Sequence, residues 1–276
     1  MVKDLKMTGE RVVPDDIKTL AEYIQFLNHN FIYEYVKSLL KNDDKVLEVG
    51  FGEGYGSSLL SQACREIVGI DVEEQVVEYS NNKYGNEKCS FKLYDGKTIP
   101  FPDNTFDVII LFQVIEHIKD DAGFVAELHR VLKENCKLFI TTPNRATRLK
   151  PGQKPWNRFH VREYYANELK ALLLNKFEKA DVYGVSATEE IHRIEAERIK
   201  QGFFISLALK IGIRQLIPGF IDPIIARLIS KLRSNKIDSG DNKSFENRFS
   251  VEDFRVEKIM VDKSLDLFGI AVKGKS

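Results

Sequence analysis

Val46-Leu47-Glu48-Val49-Gly50-Phe51-Gly52-Glu53-Gly54-Tyr55-Gly56-Ser57 decides how this chain folds. A short apolar run is followed by glycine at every second position and then by a helix start. Glycines stand where a backbone must turn sharply and where a ligand must come close. A second apolar run, Ile67-Val68-Gly69-Ile70-Asp71, follows about 20 residues on and ends in a carboxylate, the spacing of an acid that accepts from ribose hydroxyls. The pair predicts a nucleoside-bearing cofactor.

Three glycine-rich patterns compete for the loop. A phosphate-cradling P-loop requires Gly-Lys-Ser/Thr after the glycines, and none follows. A dinucleotide loop, G-x-G-x-x-G/A, is met in part: counting from Gly52 places Ser57 at the last position. The third pattern, E/D-x-G-x-G-x-G, is met by Glu48, Gly50, Gly52 and Gly54. The loop by itself leaves the last two open.

Downstream residues carry a resemblance. Cys89 to Leu93 reads as a third strand leading to Asp95-Gly96, followed by Ile99-Pro100-Phe101-Pro102-Asp103-Asn104-Thr105-Phe106-Asp107-Val108. Glu127-Leu128-His129-Arg130-Val131-Leu132-Lys133 then leads into Lys137 to Asn144. With the glycine loop, these segments resemble the class I S-adenosylmethionine (SAM) methyltransferases from about Lys45 to Gly184. Glu134-Asn135-Cys136 departs from the usual Pro-Gly-Gly turn. The resemblance implies an α/β, Rossmann-like, doubly wound sheet of seven strands. It implies that Glu48 and the Gly50, Gly52 and Gly54 backbone hold the methionine end of the cofactor, that Asp71 with Val72 holds the ribose, that Asp95 and Gly96 hold the adenine, and that Gln113 lies along the cofactor.

The alternating β/α pattern predicts strands near 45–49, 66–71, 89–94, 106–112, 136–142 and 178–184, and a last strand at 266–273. Residues 1–40 read as an N-terminal helical arm, with Phe31, Tyr35 and Leu39 in one row. Residues 41–184 and 262–276 read as the cofactor-binding core, and 185–261 as a helical cap inserted before the last strand. Within the insertion, 203–229 is apolar but broken by charges and by Pro218 and Pro223, which suits two amphipathic helices over the core. The same stretch could also touch a lipid-linked substrate or a membrane surface.

Lys and Arg total 41 and Asp and Glu total 41, so no global charge draws the chain to nucleic acid. Cys64, Cys89 and Cys136 lack metal-ligand spacing and read as reduced thiols of a cytoplasmic protein. Met1 to Lys6 lacks an apolar signal core.

Ligands in open α/β sheets sit outside the carboxyl ends of the strands. Gln113-Val114-Ile115-Glu116-His117 follows the fourth strand, so Glu116 and His117 are candidate acid–base groups for an acceptor hydroxyl. His160, in Trp156-Asn157-Arg158-Phe159-His160-Val161-Arg162-Glu163-Tyr164-Tyr165, follows the fifth strand and is the third candidate. His29, His129 and His192 fit helix surfaces. Some similar methyltransferases bind a divalent metal through E-x-x-E-H and a later His. Here Gln113 replaces the first carboxylate, and no metal is expected. Thr8-Gly9-Glu10-Arg11-Val12-Val13-Pro14 resembles an N-terminal segment of methyltransferases associated with polysaccharide synthesis. It suggests an arm that folds over the cofactor, with Arg11 meeting a carboxylate. The expected activity is SAM-dependent O-methylation of a sugar hydroxyl in a glycan or lipid-linked glycan. A quinone-like or other small acceptor, or SAM binding without turnover, are the alternatives. A nicotinamide dehydrogenase remains the reading of the dinucleotide pattern.

Overall fold

The computed structural model describes Leu5, residues 11–210 and residues 247–275. Its centre is an eight-stranded sheet in the order β3-β2-β1-β4-β5-β8-β6-β7. The strands are β1 (Lys45–Val49), β2 (Glu66–Asp71), β3 (Cys89–Leu93), β4 (Phe106–Phe112), β5 (Leu132–Pro143), β6 (Lys179–Ala187), β7 (Phe254–Glu257) and β8 (Asp266–Val272). β1 to β5 pair in parallel, β8 runs antiparallel between β5 and β6, and β7 runs antiparallel on the edge of β6. The chain order reverses at β1, which lies between β2 and β4. A crevice therefore opens at the carboxyl ends of β1 and β4.

The helices are α1 (Leu20–Lys37), α2 (Tyr55–Leu60), α3 (Glu74–Tyr84), α4 (Asp121–Val131), α5 (Arg145–Arg148), α6 (Ala166–Leu174) and α7 (Glu189–Lys210). Strands covered on both faces must be apolar throughout, and Val46, Leu47, Val49, Ile109, Ile110 and Leu111 are fully buried. One face packs on α4 and α6 through Leu128, Leu138, Ile140 and Leu169. The other packs on α1 and α2 through Tyr33, Val36, Leu60 and Phe139. A smaller cluster joins the start of α1 to α7 through Leu20, Ile24, Leu27 and Ile191.

The predicted core strands are all present. The count differs from the seven expected, because Phe254–Glu257 adds an edge strand inside the segment read as a helical cap. β6 also runs to Ala187, past the expected boundary at 184. Four residues alternating with Arg255 and Glu257 carry too little apolar signal to be read as a strand, and it is the open edge of β6 that recruits them. The helices expected over 203–229 lie outside the described residues beyond 210. In α1 the buried stripe is Leu20, Ile24, Leu27, Ile32, Tyr33 and Val36, whereas Leu39 lies past the helix and is exposed. Asn135, in the segment that departs from Pro-Gly-Gly, lies within β5 and adopts φ 59°, a left-handed conformation that asparagine tolerates.

A thread through this core runs from α1 to the glycine turn. Gly56 lies under the Tyr33 ring so closely that a Cβ on it would collide with that ring. Gly56→Ala is therefore expected to push α1 off α2 and to cost about 1–3 kcal/mol, measured by urea denaturation.

Candidate active site

The loop after β1 is built from three left-handed glycines: Gly50 at φ 72°, Gly52 at 64° and Gly54 at 99°. A Cβ on Gly50 would lie 2.5 Å from Val114 Cγ2, and one on Gly54 would crowd Ser80 and Phe91. Above Gly52 there is open space within 4 Å. The turn is thus sealed from below and open towards the crevice. Backbone bonds fix it, with Gly50 N donating to Ile70 O at 2.8 Å and Gly54 N to Phe51 O at 3.1 Å.

Glu48 supports this turn from beneath. It is fully buried, Tyr33 Oη donates to its Oε1 at 2.6 Å, and Ser57 Oγ donates to its Oε2. Burial raises its carboxyl above the ordinary value, against the two hydroxyl donors. Both oxygens are engaged, so Glu48 reaches a ligand only by exchanging one of them. Glu53, also buried, is clamped by Lys83 at 2.7 Å and by Tyr84 Oη at 2.8 Å. The Glu53 clamp was not foreseen: in sequence it is only a charged residue among glycines.

Asp71 ends β2. Burial raises its carboxyl, and Oδ1 accepts from Glu73 N at 3.1 Å. Val72 beside it is 57% exposed, an apolar platform at the rim. Asp95 is exposed; the backbone amides of Lys97 and Thr98, at 2.8 and 2.9 Å, hold its carboxyl below the ordinary range. Gly96 next to it has φ 75°, and a Cβ there would approach Val72 at 3.1 Å. Arg11 pairs with Glu73 at 2.9 Å, on the rim near Asp71; Thr8 to Glu10 lie outside the described residues. A bare, open glycine turn, an acid after β2, an apolar rim and an acid after β3 form one continuous ledge, and such a ledge fits a nucleoside joined to an amino acid.

Gln113 follows β4 with φ 56°, a conformation rare for a side chain of this size, and its N–H donates to Thr141 O at 3.0 Å. The tight turn places Glu116 and His117 against the loop after β5. There Val161 N donates to Glu116 O at 2.8 Å, and the His117 and His160 rings meet edge to face at 5.0 Å. Glu116, His117 and His160 each offer an atom within 4.8 Å of the others, a set that could hold a metal ion. Gln113 supplies no charge to it, and the fold brings His160 to the adjacent pair Glu116 and His117.

The hydrogen bonds assign their protonation. His117 Nδ1 lies 3.1 Å from Phe159 O, and a carbonyl can only accept, so Nδ1 carries a proton. His160 Nδ1 lies 2.8 Å from Glu163 Oε1. Burial pushes the Glu163 carboxyl up, but His160 and the Arg148 guanidinium outweigh it and hold the group below its ordinary value. His160 therefore donates to Glu163. Its Nε2 accepts from Asn157 Nδ2 at 2.9 Å, since Asn157 Oδ1 is turned to Phe159 N. Glu116 is buried, takes Thr142 Oγ1 at 3.0 Å, and is pushed up to about 8 by burial. At neutral pH it is largely an uncharged acid.

That carboxyl makes stability depend on pH. The folded protein holds a proton on Glu116 that the unfolded chain releases near its ordinary value, so the stabilisation is complete in acid and is lost as pH rises towards about 8. Melting temperature is expected to fall between about pH 5 and pH 8, and Glu116→Gln is expected to flatten that decline, as read by differential scanning calorimetry across the range.

Comparison with known proteins agrees with this geometry. Residues 47–140 match the family model described as a methyltransferase domain. A Mycolicibacterium smegmatis protein named "probable S-adenosylmethionine-dependent methyltransferase" is 38% identical over 183 residues, which cover 66% of this chain and 68% of the relative. A similarly named Mycobacterium tuberculosis protein is 40% identical over 174 residues, 62% of this chain and 60% of the relative. In three dimensions, a SAM-dependent methyltransferase from Thermotoga maritima, described as a possible histamine N-methyltransferase, superimposes with a TM-score of 0.55 over 91% of this chain and 95% of its own, at 17% identity, a likeness of fold. The glycine turn, the acids after β2 and β3, and these matches establish that the chain belongs to the S-adenosylmethionine-dependent methyltransferase family.

Proposed function

We propose that the protein transfers a methyl group from SAM to a hydroxyl of a sugar, in a glycan or a lipid-linked glycan. The observation that carries this reading is the convergence of Glu116, His117 and His160 at the carboxyl ends of β4 and β5, with His117 Nδ1 turned to Phe159 O. The cofactor supplies an activated methyl group on a sulfonium, so the protein's work is to bind, orient and accept a proton.

In this reading the Gly50, Gly52 and Gly54 backbone holds the methionine end, and Glu48 keeps that turn in shape. Asp71 takes the ribose hydroxyls, with Val72 against the adjoining ring. Asp95 and Gly96 take the adenine, and Gln113 borders the reacting end. His117 Nε2 takes the proton of the acceptor hydroxyl. His160, fixed by Glu163 and Asn157, orients His117 and the acceptor, and protonated Glu116 keeps a second negative charge out of the cluster. Residues 1–40 serve as the arm and 185–261 as the cap, with α7 and the edge strand β7 in it, around a core of 41–184 and 262–276. Among the described residues, no helix is long and apolar enough to cross a membrane. A cytoplasmic location, with at most peripheral contact with a membrane, agrees with that.

Calorimetric titration with S-adenosylhomocysteine is expected to give micromolar binding, weakened at least about tenfold by Asp71→Ala, the loss of one bidentate hydroxyl contact. His117→Ala is expected to keep that affinity and to abolish turnover in a screen of glycan and quinone acceptors. Binding of NADH in place of S-adenosylhomocysteine would refute the reading. Turnover that survives in His117→Ala would move the proton to another group.

A further inference from the structure

The carboxyl ends of β4 and β5 form the crest of the sheet, where His117 and His160 meet. The strap of chain that carries His160 runs on from α5 towards α6. Residues 145–162 hold six cations, Arg145, Arg148, Lys150, Lys154, Arg158 and Arg162, and no acid, in a chain whose 41 basic and 41 acidic residues balance. Three of the six are engaged by the fold. The Arg145 guanidinium lies 5.1 Å from the centroid of the Tyr165 ring, Arg148 pairs with buried Glu163 at 3.1 Å, and Arg162 pairs with Asp121 at 2.6 Å. Lys150, Lys154 and Arg158 are exposed, and among the described residues none of them meets a carboxylate.

The strap is fixed where these cations stand. Gln153 N donates to Lys150 O at 3.0 Å and Lys150 N to Gln153 Oε1 at 3.1 Å. The turn through Gly152, at φ 74°, therefore closes and keeps the backbone of Lys154 close to that of Lys150. Trp156 is gripped between α7 and α5: a Cβ on Gly202 would lie 2.6 Å from its ring, and the Arg148 guanidinium lies 5.1 Å from its centroid. Arg158 stands between Asn157, which is 2.9 Å from His160 Nε2, and Phe159, whose carbonyl accepts from His117. Its guanidinium lies 4.5 Å from the centroid of the Phe159 ring. Stacking of this kind holds the planar fork in place and leaves its N–H edges to donate outwards.

A stacked guanidinium and two lysines that face no carboxylate suit a multiply charged oxyanion. A phosphate group brings about two charges and three strong acceptor oxygens, enough to engage a fork and an ammonium together. A neutral ligand would leave the local excess unanswered. A bilayer suits the strap less well, because its exposed large apolar side chains are Phe159 and Val161, and the Phe159 ring is stacked with Arg158. We propose that Lys150, Lys154 and Arg158 form an anion seat at the edge of the active site, and that the methyl acceptor is a sugar carrying a phosphate or diphosphate, held there while one of its hydroxyls reaches His117. The assignment rests on the methyltransferase reading and adds to it the charged group by which the acceptor is recognised.

Inorganic pyrophosphate is the probe. It is titrated calorimetrically, with EDTA present and S-adenosylhomocysteine bound, into the wild type, Lys154→Glu, Arg158→Glu and a control, Lys179→Glu. Lys179 is exposed and begins β6, at the end of the sheet opposite the crest. The wild type is expected to bind pyrophosphate, more weakly as salt is raised. Lys154→Glu and Arg158→Glu are each expected to weaken that binding at least about tenfold and to keep the affinity for S-adenosylhomocysteine, and Lys179→Glu to behave as the wild type. Absence of pyrophosphate binding in the wild type overturns the proposal. So does binding that survives in both strap variants, or that weakens equally in Lys179→Glu. Sedimentation with vesicles is the second arm: retention on phosphatidylglycerol over phosphatidylcholine, without pyrophosphate binding, would make the strap a membrane-contact surface and overturn the anion seat. Failure of the wild type to bind S-adenosylhomocysteine is a separate result, which overturns the methyltransferase reading itself.

Discussion

The buried Glu48 carboxylate is the constraint on which the site depends. It sits at the second-last residue of β1 and draws one hydroxyl from α1 and one from α2. Removing a carboxylate from water is costly unless it is well bonded, so these two donors are obligatory partners. Satisfying them fixes three things together: the entry of the glycine turn, the start of α2 and the seating of α1 across the crevice. Tyr33 adds packing to the bond, since its ring covers Gly56 and meets Phe112 edge to face. The arm helix is thereby joined to the cofactor loop.

Electrostatics at the crest follow from a shortage of cations. Glu116, Glu163, Glu195 and Asp266 gather around Arg148 and Arg198, with four carboxyls facing two guanidinium groups. Burial does not allow unpaired negative charge to remain. The two carboxyls with the poorest pairing, Glu116 and Asp266, are the ones that move up towards neutral pH. The hydrogen bonds to Glu163 and Asn157 leave His160 fixed in orientation. Of the two histidines that meet at the crest, His160 is bonded to Asn157 and Glu163, and His117 to the Phe159 carbonyl.

Much of this was legible in the residues. Continuous apolar runs with glycine punctuation predict β1 to β5 because a strand covered on both faces has no polar side to show. The acids after β2 and β3 are legible because they stand at strand ends, where side chains reach the crevice. β7 was not legible: Phe254-Arg255-Val256-Glu257 is short and half charged, and only the exposed edge of β6 makes it a strand. Glu53 was not legible either, since its partners Lys83 and Tyr84 come from α3. His29 reads as a helix-surface residue from its local pattern, and the structure turns it to a cavity because α1 is covered on that side by α7 and β8.

The sequence by itself determined the alternating β/α core, the glycine turn and the presence of titratable side chains after β4 and β5. These depend on short-range patterns: strand periodicity, glycine spacing and position relative to a strand end. Only the tertiary structure decided which of those groups meet and which of them burial shifts. His117 and His160 are neighbours because two loops fold over one sheet edge. Asn28 and Asp266 are hydrogen-bonded although 238 positions separate them. Desolvation and the choice of hydrogen-bond partner are properties of the packed neighbourhood, and no local pattern encodes them.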